Sequence, residues 1–297
     1  MRWRLPYTLL ALTWGSSFWF IKLGLESFSA VQVGFLRVAL GSLTLLLLSA
    51  VTRTPLVRDL RLLGHLFVLA LCLNSAPGVL FAIGETHISS VLAAILNATT
   101  PLATLLMTML VFRDQRPTRA QQLGLIIGFA GVLTVLGVWQ GVGANAIAGV
   151  GACLLAVTGY GISFPYSRRY VANAPYSRTS IATAQVTIAA VQLVPVVLIA
   201  DPNFSRPQMS SVLAMAVLGS MGSGIAYVWN YAVIMQAGAT VASTVTYWTP
   251  LVAVVAGIAF LGEDITWYEP VGALVVLFGV AVSQGKIPRR QPDSRAG

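Results

Sequence analysis

The chain has 297 residues, of which 57% are hydrophobic and only 9% are charged. An ordinary soluble domain has about 25% charged residues, so this composition excludes a water-soluble globular protein and indicates that most of the surface faces lipid. The net charge of +9 does not indicate nucleic-acid binding. The basic residues lie in short clusters between apolar runs rather than along one exposed face.

Apolar runs recur along the whole chain. A helix crosses the hydrocarbon core of a bilayer in about 20 residues. The sequence predicts such helices at 6–24, 30–51, 63–84, 89–112, 121–139, 146–167, 180–200, 210–235, 240–261 and 268–285. The first run lacks the cleavage site of a signal peptide, and the connectors are too short for a soluble domain. We therefore expect an all-α membrane protein with ten transmembrane helices.

The distribution of lysine and arginine predicts the orientation. If both termini face the cytoplasm, that side receives 15 of the 18 basic residues, at the termini and after the second, fourth and sixth helices. This separation obeys the positive-inside rule. The remaining three are Lys22, Arg206 and Arg37. We expect both termini, including a tail at 287–297, to be cytoplasmic.

The two halves of the sequence resemble each other. LLALT at 9–13 and LLAVT at 154–158 each precede Gly-x-Ser-Phe, and Thr-Pro-Leu occurs at 100–102 and 249–251. A unit of five helices crosses the membrane an odd number of times, so a second copy is inverted relative to the first. The loop after the fourth helix is basic and its counterpart after the ninth is acidic, as inversion requires. The repeat predicts two units, residues 1–141 and 142–286.

Longer stretches carry a family resemblance. WGSSFWFIKLGLE at 14–26, FLRVALGSL at 35–43, the two Thr-Pro-Leu motifs and Glu263 resemble the EamA family of the drug/metabolite transporter superfamily, over nearly the whole chain. The aromatic-rich eighth and ninth helices resemble those of YddG-type aromatic amino acid exporters. Arg113-Asp114 departs from the Gly-Glu pair typical of the family after the fourth helix. The resemblance implies a bacterial inner-membrane exporter whose central cavity is lined by the first, third, fourth, sixth, eighth and ninth helices.

Two prolines near the middle of predicted helices indicate where a substrate could bind. Pro101 and Pro250 occupy matching positions, and interruptions repeated in two halves are typical of transport sites. Bending for helix packing is the alternative, and the aromatics of the eighth helix could instead form an interfacial belt. Gly124 and Gly128 form a GxxxG pattern that predicts helix packing. The candidate substrate-binding residues are Trp14, Ser17, Asn74, Asn97, Thr100, Tyr160, Ser163, Tyr227, Asn230, Tyr247 and Trp248.

Arg37 is the one charged residue well inside a predicted helix. An intramembrane charge is a functional hypothesis by default, and its guanidinium could hold a substrate carboxylate through two hydrogen bonds. The alternative is a structural role in bonding backbone carbonyls. The resemblance favours this role, because it places an arginine here across varied substrates and aligns Gln185 with the mirrored position.

Acidic residues are absent from the middle of every predicted helix. Transporters of cationic drugs usually need a buried carboxylate, and carriers of phosphate esters need several cations. A cavity of Trp, Tyr, Asn, Thr and Ser suits a neutral or zwitterionic solute with an apolar body, in agreement with the amino acid exporter resemblance. The sequence predicts alternating-access export of aromatic or large neutral amino acids. The energy source is either the gradient of the substrate itself or coupling through a group that the sequence does not identify.

Other functions remain as alternatives: export of another small neutral or amphipathic metabolite or drug, or a channel. No catalytic motif occurs, so an enzyme is not expected. No cofactor, metal or nucleic-acid partner is expected either. The expected partners are a small-molecule substrate and the lipid bilayer, and the oligomeric state is left open.

Overall fold

The computed structural model describes residues 3–112, 118–140, 143–204, 206–237, 241–242, 244–262 and 265–284. Within these residues the regular structure is helical, with no strand. The predictions that fell on Arg113-Asp114, Glu263 and the tail at 287–297 lie outside the described residues. We number the helices α1 (Arg4–Leu25), α2 (Ala30–Val51), α3 (Leu60–Glu85), α4 (Ser90–Val111), α5 (Arg119–Val135), α6 (Ala144–Tyr170), α7 (Arg178–Ala200), α8 (Met209–Ala237), α9 (Thr244–Leu261) and α10 (Tyr268–Ser283).

Among the described residues, eight helices, α2 to α9, are long and apolar enough to cross a membrane. The protein is therefore a multi-pass membrane protein. Helix α1 has 22 residues but is less apolar, and α10 has only 16. The number of crossings stays a prediction for these two.

The helices begin at residues that the sequence marks as caps. The Ser29 hydroxyl accepts a hydrogen bond from the backbone N–H of Gln32, and Oε1 of Gln32 in turn accepts from the backbone N–H of Ser29. Helix α2 starts directly after this capping box. Ser177 accepts from the backbone N–H of Ser180 at the start of α7. Such caps satisfy backbone donors that the first helical turn leaves without a partner. They fix where α2 and α7 start, and hence the register of both.

Both Thr-Pro motifs interrupt the α-helical hydrogen-bond pattern of their helices. Helix α4 stops at Asn97 and restarts at Thr100, and α9 restarts at Thr249 after a short 3₁₀ turn. Proline has no N–H to donate to the carbonyl four residues earlier. The preceding threonine donates its hydroxyl to that same carbonyl: Thr100 to Asn97 at 2.6 Å and Thr249 to Thr246 at 2.7 Å. The predicted kinks are therefore breaks whose free carbonyls are satisfied locally.

Four wider π-helical turns also occur at matching places in the two halves, at 71–75 in α3, 218–225 in α8, 108–112 at the end of α4 and 257–261 at the end of α9. In α3 the turn precedes Pro77, which leaves the carbonyl of Leu73 without its helical donor. The hydroxyl of Tyr227 from α8 donates to this carbonyl at 3.0 Å. A side chain of the second half thus supplies the hydrogen-bond donor that the helix of the first half lacks.

Equivalent helices of the two halves pack in antiparallel pairs. Between α2 and α7, Ser42 bonds Thr187 at 2.8 Å and Ser49 bonds Thr183 at 2.9 Å, so the numbering runs in opposite directions. Helices α5 and α10 form a glycine seam, as the GxxxG pattern predicts. An added Cβ at Gly124 would lie 2.6 Å from the carbonyl oxygen of Gly279. This seam allows two backbones to touch directly.

The remaining helices exchange partners between the halves. Helix α1 packs against α8 and α9, whereas α6 packs against α3 and α4. Each half therefore contributes one helix to the bundle of the other. The space enclosed by these six helices holds the candidate site.

Candidate functional site

A cavity of about 550 Å³, including the space continuous with solvent, lies between two groups of helices. One group is α1 with α8 and α9, and the other is α6 with α3 and α4. The cavity is bounded by α1, α3, α4, α6, α8 and α9, the helices that the family resemblance implies, together with α2. The lining residues are Trp14, Ser17, Phe18, Ile21, Arg37, Leu73, Phe81, Asn97, Tyr160, Phe164, Tyr227 and Thr246.

Both copies of the repeated motif contribute to the lining, WGSSF at 14–18 in α1 and YGISF at 160–164 in α6. The glycine of each motif lets its helix approach the neighbouring helix of the other half. An added Cβ would lie 2.5 Å from Cβ of Val252 at Gly15, and 2.8 Å from the backbone of Ala103 at Gly161. Contacts this close exclude a side chain at either glycine without movement of the helices. The motif therefore brings aromatic residues to the cavity from both sides.

The aromatic side chains of the walls contact one another. Trp14 meets Tyr227 edge to face with ring centroids 5.7 Å apart, and Phe18 meets Phe81 at 5.5 Å. Phe81 also stacks on Tyr160 at 5.8 Å. Aromatic pairs in these geometries hold each other in place. The cavity thus offers a preformed apolar surface to a solute.

Arg37 is the cation among the described lining residues. Its side chain is 9% exposed, and its Nε donates a hydrogen bond of 3.1 Å to Oγ of Ser223 in α8. An added Cβ at Gly78 would lie 3.4 Å from Cδ of Arg37, so this glycine leaves room for the arginine stem. Within the described residues, the hydrogen bond of Arg37 goes to a side-chain hydroxyl and not to a backbone carbonyl.

The other polar groups of the lining are neutral. Asn97 of α4 donates from Nδ2 to Oγ1 of Thr249 at 3.4 Å, joining the two Thr-Pro breaks. The Ser17 hydroxyl donates to the carbonyl of Thr13 at 2.9 Å. None of the described residues that line the cavity is an Asp or a Glu. The site can therefore offer hydrogen bonds and one positive charge, but no acid.

The structure places five of the predicted substrate-binding residues and Arg37 around this cavity. The five are Trp14, Ser17, Asn97, Tyr160 and Tyr227. Whether they bind a substrate stays a prediction. Burial argues against the interfacial belt for two of the aromatics of α8, because Tyr227 and Tyr231 are only 4% and 1% exposed.

Six predicted residues lie outside the cavity lining. Thr100 and Ser163 bond carbonyls of their own helices, and Asn74 accepts from Nε2 of Gln185 at 2.6 Å. The Tyr247 hydroxyl accepts from the Gln284 side chain. Trp248 is 52% exposed on the outside of the bundle, and Asn230 is buried in α8. Whether any of these six residues binds a substrate stays a prediction.

Sequence reasoning missed several apolar lining residues: Phe18, Ile21, Leu73, Phe81 and Phe164. For Phe18 and Phe164 a signal existed, since each closes the repeated Gly-x-Ser-Phe motif whose other residues were chosen. Thr246 also had a signal, because its carbonyl lies four residues before Pro250. Ile21, Leu73 and Phe81 have no such signal, because apolar residues facing a cavity and facing lipid look alike in sequence.

Cofactor or metal ligands do not form a group in the described part of the chain, where no cluster of three or more His, Cys, Asp or Glu residues occurs. Cys72 and Cys153 are both free thiols.

The profile of the EamA-like transporter family matches this chain twice, at residues 4–137 and 147–284. The chain belongs to the EamA-like transporter family. It is a membrane transporter, and the resemblance noted in the sequence is confirmed.

Relatives of this EamA-like protein carry transporter names. The uncharacterized transporter YdfC of Bacillus subtilis (strain 168) is 25% identical, with 95% of this chain and 91% of the relative covered. The uncharacterized inner membrane transporter YedA of Escherichia coli (strain K12) is 26% identical, with 93% and 89% covered. A probable terminal-alkyne amino-acid exporter of Streptantibioticus cattleyicolor is 25% identical, with 97% and 96% covered.

A solved crystal structure of a protein has the same fold. It superposes with a TM-score of 0.68 over 97% of this chain and 99% of that chain, at 16% sequence identity. At this identity the likeness concerns the fold alone.

Proposed function

We propose that this EamA-like transporter exports amino acids, preferably aromatic or large neutral ones, by alternating access through the central cavity. The observation that carries the proposal is the cavity lining, which joins an aromatic wall to one guanidinium and several neutral hydrogen-bonding groups. A zwitterion with an apolar body matches each part of this lining. The relative named as a probable terminal-alkyne amino-acid exporter supports the same substrate class.

The proposed topology has ten crossings, in two inverted units of residues 1–141 and 142–286. Support comes from the antiparallel packing of α2 with α7 and of α5 with α10, since inverted copies place equivalent helices antiparallel. The exchange of α1 and α6 between the bundles supports it further. We place both termini in the cytoplasm, by the positive-inside rule. We place the protein in a bacterial inner membrane, as the name of YedA suggests.

The proposed energy source is the gradient of the substrate itself. A proton-coupled exporter usually carries its proton on an intramembrane carboxylate. The described cavity lining has no such group. Movement of the two bundles around the cavity then needs no ion to be bound or released.

Counterflow in proteoliposomes tests this proposal. Liposomes loaded with unlabelled phenylalanine should accumulate radiolabelled phenylalanine transiently, with no ion gradient imposed. The matched variants are Ser17→Phe, which fills the cavity, and Ser16→Phe, which changes a neighbouring residue outside its lining. We expect Ser17→Phe to abolish counterflow and Ser16→Phe to retain it.

Three results would contradict parts of the proposal. Absence of counterflow with every amino acid tried would overturn the substrate class and favour another amphipathic solute. Counterflow that requires a pH gradient would overturn the energy source. Unitary currents in a planar bilayer would indicate a channel in place of alternating access.

A further inference from the structure

Arg37 of α2 and Gln185 of α7 occupy equivalent positions. Each lies eight residues after the serine that caps its helix, Ser29 or Ser177. Each also reaches a π-helical turn of the other half: Arg37 bonds Ser223 in 218–225, and Gln185 bonds a residue in 71–75. The two positions therefore differ in the side chain itself, a charged guanidinium against a neutral amide, and not in their place in the fold.

Both the nitrogen and the oxygen of the Gln185 side-chain amide have hydrogen-bond partners within the protein. Its Nε2 donates to Oδ1 of Asn74 at 2.6 Å, and its Oε1 accepts from the hydroxyl of Tyr231. Its exposed fraction is 0%, and it lies outside the cavity lining. At this position a neutral amide joins three helices, α3, α7 and α8, and it does not line the cavity.

The guanidinium of Arg37 is in the opposite situation. It carries five N–H donors, and within the described residues it makes one hydrogen bond, from Nε to Ser223. That bond fixes the plane of the group while the two terminal nitrogens donate to no side chain or carbonyl of the described chain. A charge held inside a membrane protein without a counter-charge is costly. An anionic group of a solute in the cavity would remove that cost.

The other residues of the cavity lining limit which class of anion could bind beside Arg37. Recognition of a phosphate dianion would need further cations, and Arg37 is the one cation among the described lining residues. A planar carboxylate can accept two parallel hydrogen bonds from the terminal nitrogens of a guanidinium. The aromatic wall formed by Trp14, Phe81 and Tyr160 offers the adjacent surface for an apolar body.

We propose that Arg37 binds the carboxylate of the transported solute, held in position by Ser223, and that the cavity thereby selects molecules with one carboxylate and an apolar body. This inference rests on the proposed function for its physiological meaning, because it names the group by which that cavity recognises an amino acid. It adds that the carboxylate, rather than the amino group, is the required part of the substrate. The same residue would repel a solute whose only charge is an amine.

A binding measurement tests this without transport. Purified protein in detergent is heated with a matched pair of ligands, 3-phenylpropanoate and 3-phenylpropanamide, which differ only in the carboxylate. We expect the acid to raise the melting temperature at concentrations at least tenfold below those needed with the amide. Equal shifts with the acid and the amide in the wild-type protein would overturn the inference.

Two variants locate the effect at Arg37. Arg37→Gln copies the residue of the equivalent position in α7, and it should bring the acid and the amide to within about twofold of each other. Arg37→Lys keeps the charge but loses the planar pair of terminal N–H donors, so it should retain part of the preference for the acid over the amide. If Arg37→Gln keeps the tenfold preference, the carboxylate binds elsewhere. Should a variant fail to give a single peak on size exclusion, the wild-type comparison still decides.

Failure of the inference and failure of the proposed function give different results. If wild-type protein shows counterflow of phenylalanine but phenylalaninamide competes as strongly as phenylalanine, the transporter proposal stands and the role of Arg37 falls. If no amino acid shows counterflow but the acid still binds tenfold better than the amide, the role of Arg37 stands and the substrate class changes to other carboxylates.

Discussion

The Thr-Pro break of α4 and that of α9 are built alike, whereas the equivalent positions of α2 and α7 are not. Thr100 and Thr249 donate to carbonyls freed by the following proline at nearly equal distances, 2.6 and 2.7 Å. Arg37 and Gln185 share their place in the helix but differ in charge, in partners and in contact with the cavity. The halves agree in the backbone and differ in this side chain.

This difference separates two kinds of requirement. Features that recur in both halves satisfy backbone groups or let backbones approach, and every membrane helix with a break needs such features. A solute is not two-fold symmetric, so a site that orients it requires at least one position where the halves differ. Arg37 is such a position, and the predictions below test whether the repeated features are indeed equivalent.

The largest effect is expected at the glycine seam between α5 and α10. An added Cβ at Gly279 would lie 2.5 Å from the backbone nitrogen of Gly128, whereas Gly151 of α6 has nothing within 4 Å. Gly279→Leu must separate the two helices and should lower the unfolding free energy by roughly 3 kcal/mol or more. The corresponding drop in melting temperature in detergent is roughly 5–10 °C. Gly151→Leu, the matched control, should melt like the wild type.

The seam lies away from the cavity lining, so substrate preference should not change in any Gly279→Leu protein that folds. A folded variant with altered preference for carboxylates would show that the seam and the site are coupled. In that case the distinction between scaffold and site fails.

An intermediate effect is expected at the Thr-Pro breaks. Thr100→Val and Thr249→Val each leave a buried carbonyl oxygen without its hydroxyl donor, which costs about 1–3 kcal/mol. Thr158→Val is the control, because Thr158 also donates to a carbonyl, but within an unbroken helix where a backbone N–H already serves it. Melting temperatures of the three variants give the comparison. A large loss in only one of the two halves would show that the breaks are not equivalent.

The sequence predicted much of this scaffold for physical reasons. Apolar runs of membrane length predict the helices. Their exact starts depend on capping serines such as Ser29 and Ser177, which the sequence prediction did not use. The Thr-Pro motif predicts an interruption in each half because it occurs twice at matching positions. The π-helical turns were not predicted, since an extra residue in a turn depends on tertiary contacts, such as that of Tyr227 with the Leu73 carbonyl.

The site was less predictable than the scaffold. Ser17 and Ser163 occupy the same place in repeated motifs, yet only Ser17 lies in the described cavity lining. The position of Trp248 beside the Thr-Pro motif of α9 predicts a place in the site, but its side chain faces outward. In a membrane protein an aromatic or apolar residue is acceptable on either side of a helix. Sequence therefore identifies the helices of the site more securely than the faces that they turn toward it.

The smallest effect is expected at the ends of α1 and α6. Lys22 and Arg168 are equivalent, each five residues after the serine of its motif. Lys22 donates from Nζ to the carbonyls of Glu85 at 2.7 Å and Ile88 at 3.2 Å, which ties α1 to the end of α3. Arg168 is exposed and donates no hydrogen bond within the described residues.

Lys22→Met removes a cation from the negative end of a helix, so we expect a loss of about 1 kcal/mol and a fall of a few degrees in melting temperature. Arg168→Met should change the melting temperature by less than the scatter between preparations. Under the proposed alternating-access mechanism, one end of the cavity is closed while the other is open. This pair of variants therefore tests whether the two ends are held differently. Equal losses in the two variants would mean that both ends are held alike, and the asymmetry would then be confined to Arg37.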